Sequence, residues 1–178
     1  QGTVLWYTIC REGANGAAMK ILILSDSHGC VEAMETIVAR EKPQAMVHLG
    51  DLWADGKQLG KLFPDIPLYQ VAGNCDRYGW EPGQDQIRTV SLDHVVIYMT
   101  HGHLHGVKLS LLRLRLAAKE AGAQVALFGH THRSFCRNQG DVLLINPGAC
   151  GGSSGTYAVL ETGHGAPTCE IRPVQPQE

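Results

Sequence analysis

Metal-capable side chains follow five predicted strands, each at the point where the strand ends. In open sheets built from strands and helices, ligands bind outside the carboxyl ends of the strands. Loops that carry Asp, His and Asn at those ends are therefore expected to meet at one edge. The segments are DSH (26–28), GD (50–51), GNCD (73–76), HGH (101–103) and HTH (130–132).

The pair His130 and His132 shows why spacing matters. In an extended segment, residues two apart point to the same side and lie about 6.5–7 Å apart. Two such imidazoles can hold one ion between them, or each can bind one of two neighbouring ions. The spacing alone leaves both arrangements open.

The donor types narrow the kind of ion. Crowding Asp26, Asp51 and four imidazoles together without cations would cost desolvation and like-charge repulsion, which divalent ions remove. Carboxylate, imidazole and amide donors together favour Mn²⁺, Fe²⁺ or Zn²⁺ over Ca²⁺. Seven ligands exceed the need of one such ion, whereas two ions about 3.5–4 Å apart, bridged by a carboxylate, would use all of them. Each motif alone is weak, because GD and GN also occur as turns, and the isolated His48 is interpreted as structural.

Composition restricts the function classes. The chain has 178 residues, 44% of them hydrophobic and 18% charged, with a net charge of −2. These values favour one globular domain, and the absence of a basic block argues against specific nucleic-acid binding. No apolar run reaches the roughly 18 residues that a membrane span requires. Six scattered cysteines without a CxxC pair favour a reducing compartment, and hence a cytoplasmic protein.

Hydrophobic periodicity predicts alternating strands and helices. Residues 1–18 lack such periodicity and are interpreted as an N-terminal extension outside the fold, with residues 19–178 forming a single domain. Alternation predicts a sheet with a parallel core, and the strand-rich second half indicates a second, more antiparallel sheet. The predicted strands are 20–26, 45–51, 67–74, a hairpin over 86–101, 123–130, 141–148, 155–161 and 166–174, and the predicted helices are 30–42, 56–63 and 108–122.

The motifs occur in the order found in the calcineurin-like metallophosphoesterases, which the chain resembles from Met19 to its C-terminus. More narrowly, ILSDSHG, GNCD, HGH, GHTH and INPGA resemble the small bacterial and archaeal phosphodiesterases of the YfcE type. The resemblance implies an α/β fold, a two-sheet β-sandwich flanked by helices. It implies that one metal ion is bound by Asp26, His28 and His132, that a second is bound by Asn74, His101 and His130, and that Asp51 bridges them.

By the same resemblance, the expected activity is hydrolysis of a small phosphodiester, with attack by a hydroxide that bridges two divalent ions. Mn²⁺ is the expected ion, with Fe²⁺, Ni²⁺ and Zn²⁺ as alternatives. Asn74 can also orient the phosphate through its amide group. Many relatives carry, after GN, a histidine thought to protonate the leaving oxygen. Here that position is Cys75, so His103 is the candidate acid and Asp76 the group that orients a neighbour.

Several alternatives remain at this stage. His103 and Asp76 can equally have packing roles, and Arg77 and Arg133 flank two motifs as either substrate contacts or surface residues. The loops 51–56 and 76–83, which contain aromatic residues, can line a substrate pocket or form the contact of a homo-oligomer. A non-catalytic metal-binding scaffold of the same fold is the main competing function. A nuclease is disfavoured because the chain lacks a basic stripe.

Overall fold

The computed structural model describes residues 18–77, 83–163 and 165–175, so the predicted extension lies outside it except for residue 18. Within those ranges the chain forms ten strands and three α-helices. The strands are β1 (Lys20–Leu24), β2 (Ala45–His48), β3 (Leu68–Gln70), β4 (Ile87–Leu92), β5 (Val95–Thr100), β6 (Val125–Leu127), β7 (Phe135–Gln139), β8 (Val142–Asn146), β9 (Thr156–Glu161) and β10 (Thr168–Pro173). The helices are α1 (Val31–Glu41), α2 (Trp53–Leu62) and α3 (Leu112–Glu120).

The strands form two five-stranded sheets. The first has the order β10-β9-β1-β2-β3, in which β1, β2 and β3 run parallel. The second has the order β4-β5-β6-β8-β7, in which β5, β6 and β8 run parallel. The strands that precede the predicted ligands are therefore parallel within each sheet, and their carboxyl ends share an edge.

Alternating side chains build a four-layer packing. In β1, Ile21 and Ile23 pack between the two sheets, whereas Leu22 and Leu24 pack against the helices on the outer face. In the second sheet, Leu127 faces the first sheet and Ala126 joins a third cluster with residues of α3. Strands buried on both faces must be apolar throughout, which explains the continuous apolar runs of the sequence. The fold is the predicted sandwich of two sheets with helices outside.

The later strands are divided between the two sheets in a way that the sequence did not predict. β9 pairs with β1, so β9 and β10 extend the first sheet. Each sheet contains two parallel and two antiparallel strand pairs within the described ranges, so the prediction of a more antiparallel second sheet was wrong. The physical reason is that a strand buried on both faces carries no local signal of which neighbour it pairs with. Among the described residues, no helix is long and apolar enough to cross a membrane.

Candidate metal centre

The five predicted loops meet at one edge of the sandwich. Backbone hydrogen bonds connect the loops within each sheet, from the Asp26 N–H to the Gly50 carbonyl at 3.0 Å and from the Gly129 N–H to the His101 carbonyl at 2.9 Å. Across the sheets, the His130 N–H donates to Asp26 Oδ2 at 3.1 Å. All seven side chains predicted as ligands lie at this edge.

Asp26 has a fully buried carboxylate with one satisfied and one unsatisfied oxygen. Its Oδ2 also accepts a hydrogen bond from the Ser25 hydroxyl at 2.6 Å. Its Oδ1 has no hydrogen-bond partner in the described part of the chain, although the Nε2 atoms of His132 and His101 lie 3.1 Å and 4.0 Å away. A buried carboxylate oxygen left without a hydrogen bond is costly. Its place among imidazole nitrogens fits a bound cation.

Four side chains form a compact donor group around this oxygen. The ligand atoms of Asp26, His28, Asp51 and His132 all lie within 4.8 Å of one another. The two carboxylates are buried, whereas His28 and His132 are exposed and their ring centroids are 5.3 Å apart. This arrangement leaves one side of the group open to solvent, and hence to a substrate.

Asn74, His101 and His130 form a second group beside Asp51. The Nε2 atom of His101 is 3.1 Å from Asn74 Oδ1 and 3.4 Å from Asp51 Oδ2, and its ring centroid is 5.0 Å from that of His130. The Nδ1 of His101 donates to the Leu49 carbonyl at 2.8 Å, because a carbonyl can only accept. That bond fixes the ring with Nε2 toward the donors, as is common for metal-binding histidines.

Protonation states support the same interpretation. Burial would raise the pKa of Asp51, but hydrogen bonds from His101 and a backbone N–H hold it well below its usual range. Burial would lower the pKa of His101, but the neighbouring carboxylates raise it overall. Burial and the nearby charges of His101 and Lys108 lower the pKa of His130. Asp51 is thus ionised and His130 neutral, as metal binding requires, and a cation would displace the proton that the carboxylates favour on His101.

Backbone conformation at this edge is unusual. Five of the seven predicted ligands have a positive φ, a region that non-glycine residues rarely adopt. Each such residue costs roughly 1–2 kcal/mol, and backbone strain of this kind is concentrated at functional sites. The five residues and their φ values are Asp26 (52°), His28 (45°), Asp51 (58°), His130 (66°) and His132 (57°).

Two motif glycines make room for the carboxylates. A Cβ atom on Gly73 would collide with Asp51 Oδ1, and one on Gly129 would collide with the Ser25 hydroxyl and lie 2.7 Å from Asp26 Oδ2. The GN and GH motifs therefore need glycine because the carboxylates pack directly against the backbone of neighbouring loops.

The hydrogen bonds that Asp76 accepts from the described residues all come from backbone N–H groups. Its Oδ2 accepts from the N–H groups of Asp51 at 3.1 Å and Gly73 at 2.7 Å. Its Oδ1 accepts from Leu52 at 2.9 Å and Trp53 at 2.7 Å. The structure thus places Asp76, predicted to orient a neighbour, where it ties the loop after β3 to the loop that carries Asp51.

The predicted acid His103 and the thiol of Cys75, which was predicted to be a poor proton donor, lie next to the donor groups, and both ring nitrogens of His103 are buried. His103 is half-buried in the 3₁₀ turn His103–His105, and its ring centroid is 5.5 Å from that of His101 and 6.2 Å from that of His130. Cys75 is exposed, and burial of the sulfur and the nearby Asp51 raise the pKa of its thiol. The thiol is therefore protonated at neutral pH and a weaker acid than an imidazole. The side chain of Arg77 and residues 78–82 of the second aromatic loop lie outside the described residues.

A buried polar network beneath the site was missed from the sequence. The Ser27 hydroxyl donates to Asp55 Oδ2 at 2.7 Å, and the same carboxylate oxygen accepts from the Gly29 N–H at 2.8 Å. His48 Nε2 lies 3.0 Å from the Ser27 hydroxyl, and burial lowers the pKa of His48 to about 4. A neutral His48 thus donates to Ser27, and the network anchors the loop between Asp26 and His28. In the sequence, Ser27 of the DSH motif was the one available signal of this network.

Asn146 anchors the HTH loop in a similar way. Its side chain is fully buried, and its Nδ2 donates to the Gly129 carbonyl at 2.9 Å and to the Thr131 hydroxyl at 3.0 Å. Its Oδ1 accepts from the Gly148 N–H at 2.9 Å. The INPGA motif was the available signal, but its sequence gave no indication that it reaches the histidine loop.

Known proteins share this fold and are similar to this chain in sequence. The model of the calcineurin-like phosphoesterase superfamily domain matches residues 19–165. The probable metallophosphoesterase YsnB of Bacillus subtilis is 37% identical over 134 residues, which cover 74% of this chain and 75% of that protein. The phosphodiesterase MJ0936 of Methanocaldococcus jannaschii is 31% identical over 164 residues, covering 81% and 93%.

A solved structure agrees with the sequence relatives. The crystal structure of a predicted phosphoesterase from Streptococcus pneumoniae superimposes with a TM-score of 0.74 at 28% identity, and the match covers 89% of this chain and 91% of that one. Fold and donor cluster together define a metallophosphoesterase. The chain belongs to the calcineurin-like phosphoesterase superfamily, whose members include the phosphodiesterase YfcE of Escherichia coli.

Proposed function

We propose that the protein is a cytoplasmic phosphodiesterase that binds two divalent metal ions, with Mn²⁺ as the preferred ion. The observation that carries the proposal is the buried Oδ1 of Asp26, which has no hydrogen-bond partner within the described ranges and faces imidazole nitrogens. The scattered cysteines, five of which are free thiols in the structure, support the cytoplasmic location.

In this proposal, each donor group would hold one ion, and Asp51 would be shared between the two groups. The first group consists of Asp26, His28 and His132, and the second of Asn74, His101 and His130. When bound, the ions would supply positive charge to hold a phosphate oxygen and would lower the pKa of the attacking water.

The remaining side chains position the substrate and move a proton. The Nδ2 of Asn74, which donates to Cys75 Sγ at 3.4 Å, can instead donate a hydrogen bond to a phosphate oxygen. His103, close to both His101 and His130, is the proposed donor of a proton to the leaving oxygen. Asp76 acts as a positioning residue, because its carboxylate holds the backbone at Asp51.

The proposed activity is tested with bis(p-nitrophenyl) phosphate beside p-nitrophenyl phosphate, each with Mn²⁺. Two dications against two carboxylates leave a modest positive charge, which suits a monoanionic diester better than a dianionic monoester. We expect kcat/KM for the diester to exceed that for the monoester by at least about tenfold, which corresponds to 1.36 kcal/mol in transition-state binding.

Protein treated with EDTA is the control and should hydrolyse neither compound. Faster turnover of the monoester would contradict the diester assignment. Turnover of neither compound by the Mn²⁺-loaded protein would favour the non-catalytic scaffold.

A further inference from the structure

A cavity of about 600 Å³ opens beside the metal centre. Thr131, which lines it, stands between His130 and His132 in the chain. Val107, also in its wall, packs so closely against Gly102 that a Cβ there would lie 2.8 Å from the valine side chain. The cavity is therefore continuous with two of the ligand loops.

The inner wall of the cavity is apolar and aromatic. Phe128 is almost fully buried and Phe135 is half-buried, and their ring centroids are 6.2 Å apart in a tilted arrangement. Leu111 adds an aliphatic surface. Aromatic side chains bind planar rings by offset or edge-to-face contacts, and cavities of a few hundred Å³ are of the size that holds small ligands.

The rim of the cavity is cationic. Lys108 and Arg133 both line it and both are exposed, and no carboxylate is among its lining residues in the described part of the chain. Because no described residue of the lining carries a carboxylate, these two cations are available to an anionic ligand.

We propose that this cavity is a substrate subsite that holds the part of the phosphodiester remote from the reacting phosphorus, and that this part is an aromatic ring system bearing a second anionic group. The proposal rests on the proposed function, since it places a substrate across the metal centre and the cavity. Phe135 and Leu111 contact the ring system, with the buried Phe128 behind Phe135, and Lys108 and Arg133 bind the anion. Substrates of this class are nucleotide-like diesters with an additional phosphate.

Two diesters that differ by one phosphate test the proposal. They are the p-nitrophenyl ester of thymidine 5′-phosphate and the same compound with a 3′-phosphate. With the Mn²⁺-loaded protein, we expect the KM of the 3′-phosphorylated ester to be about tenfold lower, since two partly exposed charge contacts together contribute on the order of 1.4 kcal/mol. In the double variant Lys108→Gln, Arg133→Gln, this KM ratio should fall close to one.

Lys119→Gln is the matched control, because Lys119 is an exposed cation of α3 that faces Asp141 at 3.9 Å and is not part of the cavity lining. It should retain the wild-type ratio. The Kd values of thymidine 3′,5′-bisphosphate and thymidine 5′-phosphate, measured by calorimetry, test the same contrast without turnover. Their ratio should match the KM ratio of the two esters.

Equal KM and Kd values for the two members of each pair in the wild-type protein, with bis(p-nitrophenyl) phosphate still hydrolysed, would overturn the subsite and leave the proposed function intact. A ratio that survives in the double variant would also overturn the subsite. Failure of the wild-type protein to hydrolyse any diester would overturn both proposals.

Discussion

Asp51→Asn should lower kcat/KM for bis(p-nitrophenyl) phosphate by at least about 10³-fold, because a lost bridging charge costs several kcal/mol and each 1.36 kcal/mol is a factor of ten. Asp51 is only 2% exposed, and its carboxylate is the donor shared by both proposed ions. The amide of asparagine carries no charge, so its oxygen binds two cations much more weakly than a carboxylate does. Its oxygen can still accept the hydrogen bond that Asp51 Oδ1 receives from the Cys75 N–H at 2.9 Å, so the fold should survive.

Asp141→Asn is the matched control, because it removes the same charge from a side chain that is 90% exposed on the far end of the β7–β8 hairpin. It should leave kcat/KM unchanged. Activity of Asp51→Asn within about tenfold of the wild type would show that this carboxylate is not essential to the reaction, contrary to the proposed mechanism.

Asp76→Asn should reduce the free energy of unfolding by about 4 kcal/mol, since hydrogen bonds to a charged group are worth roughly 1.5–3 kcal/mol each. Asp76 accepts from four backbone N–H groups, two on each carboxylate oxygen. In asparagine, an NH₂ group must replace one of those oxygens and would face two N–H donors. Urea unfolding, with the slope of the transition compared between variants, measures the loss.

Asp85→Asn is the control for this change, because the Asp85 carboxylate is 63% exposed and its one ion pair within the described ranges is with Arg88 at 4.0 Å. It should alter the free energy of unfolding by less than about 0.5 kcal/mol. A loss below about 1 kcal/mol in Asp76→Asn, together with a large loss of activity, would contradict the positioning role and favour direct participation of Asp76 in catalysis.

The sequence was most informative where one short run of residues defined both a buried strand and a candidate metal ligand at its end. The runs KILILSD and AMVHLGD predicted strands buried on both faces and also placed Asp26 and Asp51 directly after them. Parallel strands bring their carboxyl ends to one edge, so the meeting of the loops followed from strand order alone. The positive φ values at the strand ends were not predictable, because nothing local requires Asp26 or His132 to adopt them. The expectation that His130 and His132 lie in an extended segment was wrong for this reason: β6 ends at Leu127, and both histidines have a left-handed φ.

The sequence was least informative where long-range contacts decide the structure. Helix α2 begins three residues before the predicted position, although Gly56 within it disfavours a helix. The glycine leaves room for the end of the Gln70 side chain, a tertiary contact that the local sequence does not show. Helix α3 begins four residues later than predicted because turns follow the HGH segment. Strand β7 was missed because its residues are largely polar and exposed at a sheet edge, and only pairing with β8 defines it.

The central claim is that side chains from five loops bind two divalent cations together. Elemental analysis of protein incubated with Mn²⁺ and freed of excess ion by gel filtration tests this claim without reference to any substrate. The account predicts about two equivalents of manganese per chain, as two-metal sites of this donor type hold. One equivalent or fewer, with Fe²⁺ and Zn²⁺ giving the same result, would contradict it.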